Sequence, residues 1–99
     1  MSLNQMPLTK IMSATPAEFF RSLAHLAPNE SFDQTSTRFA LARETGEAII
    51  SFKILPDRQV TGLLSLPQME VMLEFDGLSE DARASFVHDF DLAFRRGGG

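Results

Sequence analysis

The sequence predicts an α+β fold: a two-layer sandwich in which a four-stranded antiparallel meander is flanked by an N-terminal and a C-terminal helix, in the order αββββα. Three observations carry this. Apolar residues recur with a helical period over residues 15–27 and again over 79–94. Between Ser31 and Phe75 the period drops to two, with breaks at ETGE, PDR and LPQ. The chain has 99 residues, 43% of them hydrophobic and 22% charged, which suits one globular core and is too short for two.

Residues 1–14 show no clear period and include Pro7, so they read as a loosely ordered N-terminal arm. The first helix follows from TPAEFFRSLAHLAP. Thr15 is its N-cap, Pro16 its first helical residue, Glu18 the reciprocal partner of the cap, and Pro28 its stop. At about 100° per residue, Phe19, Phe20, Leu23, Leu26 and Ala27 share one side, and His25 falls opposite them near Glu18 and Arg21.

The strand register follows from keeping apolar residues on one face. Pairing Arg43 with Ala48 around ETGE sets Leu41 against Ile50 and Phe39 against Phe52. Pairing Ile54 with Val60 sets Ile50 against Leu64 and Phe52 against Gly62. A third hairpin, from Leu66 to Met69 around Pro67 and Gln68, sets Leu64 against Val71 and Gly62 against Leu73. The predicted core face is then Phe39, Leu41, Ala48, Ile50, Phe52, Ile54, Val60, Leu64, Leu66, Met69, Val71, Leu73 and Phe75.

After Asp76 and Gly77 a second helix begins at the cap Ser79, with Glu80 and Asp81 in the first turn, where the helix dipole favours negative charge. Ala82, Phe86, Val87, Phe90, Ala93 and Phe94 form its apolar stripe, and Arg95 and Arg96 close it. The predicted domain spans residues 15–96, and residues 97–99 form a flexible glycine tail. Strands spaced ~4.8 Å apart and helices ~10 Å across let two helices cover one face of four strands.

Composition narrows the function. Nine basic against thirteen acidic residues give a net charge of −4, which opposes phosphate backbones and anionic lipid surfaces, so neither nucleic acid nor a membrane is an expected partner. The chain has no cysteine, which removes disulfides, thiolate metal sites and cysteine nucleophiles. With no signal-like leader and no long apolar run, a cytoplasmic location is expected.

Histidine 88 lies within FVHDFD, a sequence that invites a metal or acid–base reading. The helical projection turns His88 away from Phe86 and Phe90 towards solvent, with Asp91 beside it and Arg95 four residues beyond Asp91 as an ion-pair partner. Two ligands fall short of the three or four a metal needs, so no metal, cofactor or catalytic residue is assigned. The ETGE tetrapeptide resembles the loop bound by a mammalian kelch-repeat stress sensor, but a hairpin requires a glycine turn there in any case.

The main functional expectation concerns the outer sheet face. By the predicted register Ala40, Ser51, Leu63 and Met72 form one row and Ala42 and Ile49 the next, an apolar patch with Arg38, Lys53 and Glu74 as its rim. A non-catalytic interaction domain follows, homodimeric through this face or through an edge strand, TRFALAR or MEVMLEF. The alternative is a binder of small apolar ligands, with a pocket among Phe52, Gly62, Phe86 and Phe90. The terminal glycines resemble the tails of ubiquitin-like and sulfur-carrier proteins, which makes a carrier the third reading, although the helix order departs from the ββαβ core of that family.

Overall fold

The computed structural model describes residues 7–97. Its elements are β1 (Leu8–Met12), α1 (Pro16–Leu26), β2 (Arg38–Ala42), β3 (Glu47–Gln59), β4 (Ser65–Asp76) and α2 (Glu80–Gly97). The four strands form one antiparallel sheet in the order β1-β4-β3-β2, with one helix near each end of the chain. The α+β layout is therefore the expected one, while the strands that build it differ in part and the order along the chain is βαβββα.

The fourth strand comes from the segment expected to be a loose arm. Leu8–Met12 pairs with β4 from Leu8↔Leu73 to Met12↔Met69. Its alternation is hidden in the sequence because Lys10 occupies an inward position between Leu8 and Met12. The structure accounts for that lysine: its ammonium meets the Asp91 carboxylate of α2 at 3.3 Å, so Asp91 pairs across elements with Lys10.

The predicted hairpin at Pro67 and Gln68 does not form. Residues 47–76 make one long ribbon of two strands, turning at residues 60–64. The PDR segment is a β-bulge rather than a turn: between the pairs Leu55↔Gln68 and Arg58↔Leu66, Pro56 and Asp57 oppose Pro67 alone. Proline fits the extended strand, whereas the turn chemistry sits at Thr61, whose hydroxyl accepts the amides of Leu63 and Leu64. Ile50 thus meets Leu73 and Phe52 meets Val71.

The β2–β3 hairpin is tighter than predicted, with Leu41↔Ala48 and Phe39↔Ile50, a slip of two residues that keeps every side chain on its expected face. The Arg43 amide closes the turn onto the Gly46 carbonyl at 2.7 Å. Both strands therefore still send Phe39, Leu41, Ala48 and Ile50 into the core, joined by Met69, Val71, Leu73 and Phe75 of β4. Ile54, Val60 and Leu64 leave the predicted core list and are 62%, 47% and 49% exposed, and Leu66, opposite Arg58, lies on the side away from the helices.

Both helices lie over this face. Around Thr15 the capping box is complete: the Glu18 amide donates to the Thr15 hydroxyl at 3.2 Å, and the Thr15 amide donates to the Glu18 carboxylate at 2.9 Å. From α1, Phe19, Phe20 and Leu23 are buried, as are Phe86, Phe90 and Phe94 from α2. Phe19 packs against Phe52 and Phe94, with ring centroids 4.5 and 5.4 Å away, and Phe90 stacks on Phe94 at 4.2 Å. Gly97, assigned to a glycine tail by sequence, is the last residue of α2. The carrier reading rests on the terminal glycines and so lies largely outside the described residues.

Candidate functional site

Because α1 and α2 cover the same side of the sheet, the other side has no second layer among the described residues. Strand alternation places Arg38, Ala40 and Ala42 of β2 on this open face, with Glu47, Ile49, Ser51, Lys53 and Leu55 of β3 beside them. Gln68, Glu70, Met72 and Glu74 follow from β4, and Thr9 and Ile11 from β1. Reading across the strands, one row runs Ala40, Ile49, Glu74; the next runs Arg38, Ser51, Met72, Thr9; a third runs Lys53, Glu70, Ile11.

The face mixes apolar centres with charges that answer one another. Arg38 on β2 reaches over β3 to Glu74 on β4, with a guanidinium-to-carboxylate distance of 2.9 Å. Lys53 and Glu70 stand directly opposite as cross-strand partners. Of the seven residues predicted as an interface, the structure thus brings Arg38, Ala40, Ile49, Lys53, Met72 and Glu74 onto one surface. It leaves out Leu63, which sits at the turn of the ribbon and is fully exposed.

The predicted edges fare differently. TRFALAR contains β2, a true edge, whereas MEVMLEF belongs to β4, whose outer side is occupied by β1. Beyond Ser51 and Met69, however, neither β2 nor β1 continues, and the β3–β4 ribbon projects as a two-stranded arm. The periodicity of the sequence concealed this arm because its apolar residues fit a folded-back hairpin equally well.

The alternative pocket is not assembled. Gly62 lies in the ribbon turn, where an added Cβ would meet nothing within 4 Å, far along the chain from its predicted partner Phe52. Phe86 and Phe90 are buried in the core, and Phe52 is packed on Phe19. Phe52 is instead paired with Val71.

On the helical side there are shallow clefts. One, about 500 Å3, is lined by His25, Leu26, Asp89, Leu92 and Ala93 between the two helices. Another, about 360 Å3, lies where the β2–β3 turn meets α2 and is lined by Arg43, Thr45, Ser79, Ser85 and Asp89 among others. His88 is exposed, as its position on the helix predicts. Among the described residues, no group of three or more His, Asp or Glu side chains is placed to hold a metal ion.

Two carboxylates are held below the usual carboxylate range. For Glu18 the main cause is the hydrogen bond from the Thr15 amide, followed by the Thr15 hydroxyl. For Asp33 it is the Thr35 hydroxyl, followed by the Thr35 amide. Both serve a cap or a turn, and neither belongs to the open sheet face.

Fold and surface together define a two-layer α+β domain in which, among the described residues, one face of the sheet is uncovered. No protein-family model matches the chain, and no curated protein or solved structure matches it significantly. Among the described residues, no helix is long and apolar enough to cross a membrane.

Proposed function

We propose that the chain is a non-catalytic association domain that forms a homodimer through the open face of its sheet. The observation that carries this reading is the placement of both helices on one side, which leaves Ala40, Ile49, Met72 and Ile11 without a covering layer. An uncovered sheet face with apolar centres is a surface that association buries. The charges support a second copy as the partner, because Arg38 and Glu74 are already paired and Lys53 faces Glu70, so the face meets its own image without a large excess of either sign. A cytoplasmic location belongs to the same reading, and a chain without cysteine functions there with no disulfide to maintain.

The test is the molar mass by light scattering across a concentration series, read by refractive index because the chain has no Trp or Tyr. A dimer that Ile49→Glu converts into a folded monomer is the expected result. A wild-type chain that stays monomeric at high micromolar concentration overturns the reading.

A further inference from the structure

We propose that the projecting β3–β4 arm is the docking element of this dimer, with a second copy of the chain as its occupant; the inference rests on the open-face reading above and adds the segment that completes the interface. The bulge is what makes the arm suitable. Up to Leu55, even-numbered residues of β3 face the helices. Past Pro56 and Asp57 the pairs Arg58↔Leu66 and Gln59↔Ser65 invert that order, and even-numbered residues face outward. Val60 pairs with Leu64 through its amide at 2.9 Å and therefore turns outward with it. Leu55, Leu66, Leu64 and Val60 thus carry apolar side chains along the arm on the side that continues the open face, with Gln68 across from Leu55 and Arg58 across from Leu66.

Area argues that the arm is needed. With strands ~4.8 Å apart and a rise of ~3.3 Å per residue, the four-stranded part of the face has a footprint of roughly 300 Å2. Two such faces together remove about 600 Å2, below the ~1,000 Å2 at which specific interfaces begin. The arm adds roughly 200 Å2 per copy by the same spacing, which brings the total to that threshold before side-chain relief is counted.

Charge identifies the occupant. Between Ile54 and Gln68 the only charged residues are Asp57 and Arg58, so the arm is neutral in a chain of net charge −4. A second copy with the same net charge of −4 therefore meets no net repulsion along the arm. The arm docks by its face rather than by its edges, since each of its strands carries a proline, Pro56 or Pro67, that has no N–H to offer a further strand.

The experiment compares full-length wild type with Leu64→Asp and Val60→Asp on the outward side of the arm, Ser65→Asp on its other side, and Ile49→Glu on the four-stranded face. Light scattering gives the dimer Kd, and circular dichroism confirms the fold of each variant. Leu64 and Val60 are about half exposed, so the arm substitutions leave the core intact. Leu64→Asp and Val60→Asp are expected to weaken the dimer by roughly a hundredfold, and Ser65→Asp by much less. A dimer that Ile49→Glu breaks but both arm variants leave unchanged overturns the arm and leaves the open-face reading standing. A wild-type monomer at high micromolar concentration overturns both.

Discussion

Two glycines meet where the β2–β3 turn touches the exit of β4, and each is required for its own reason. Gly77 has φ +77°, a conformation that L side chains rarely adopt, and its missing Cβ leaves room for the Thr45 carbonyl oxygen. A Cβ on Gly46 would overlap the Asp76 carbonyl oxygen and the backbone of Gly77. Gly77→Ala is expected to destabilise the fold by about 1–3 kcal/mol in urea unfolding followed by circular dichroism. The sequence showed both glycines as turn residues, but their mutual contact arises from tertiary structure and has no local signal. The cap of α1 was legible in full, since Thr15, Pro16 and Glu18 act within one turn. Thr15→Ala should cost about 1 kcal/mol. The Glu18 carboxyl titrates below its usual range when folded, so its contribution is present above the unfolded-state value and is lost as pH falls through the folded one. Glu18→Gln keeps the acceptor and is expected to flatten the acid limb of a stability-versus-pH curve, a change that parallel urea titrations at several acidic pH values will detect.

At the scale of elements, the helices and the two ends of the central sheet could be read from periodicity, whereas β1 and the arm could not. Five residues give too short an alternation, and in β1 the inward Lys10 interrupts it for a partner, Asp91, that is distant in sequence. In the arm, Pro56 and Pro67 resemble turn residues, but they lie across from each other inside a bulge, and the real turn is marked by Thr61 and Gly62. The register rule succeeded for β2 and β3 because a slip of two residues preserves the buried face. It failed for Val60 because the extra residue on β3 reverses the face beyond it, and for Leu64 because β4 runs on through Pro67 without the expected hairpin, which turns its even-numbered residues away from the helices. The two roles of Lys10 can be separated. Its ion pair is partly exposed, so Lys10→Ala should cost less than about 1 kcal/mol. Lys10→Pro also removes a strand donor and is expected to expose the β4 edge, seen as faster amide exchange over residues 69–73 and a greater tendency to aggregate.

Over the whole molecule, stability and association draw on opposite sides of one sheet. The side under the helices holds the phenylalanine rings, all nine of which make ring contacts, and Phe90, stacked on Phe94, is 1% exposed. Phe90→Ala should therefore cost about 3–5 kcal/mol by calorimetry or urea unfolding. Changes on the open face should leave that value nearly unaltered, because the two surfaces share a backbone but few side-chain contacts. This separation gives the bulge at Pro56 and Asp57 an unusual leverage. Removing one codon, that of Asp57, would leave Pro56 alone opposite Pro67 and relieve the local bend and twist, while Arg58, Gln59 and Val60 kept their partners Leu66, Ser65 and Leu64 and so their faces. A single in-frame deletion would then re-aim the arm while leaving both the residues it presents and the folded core as they are.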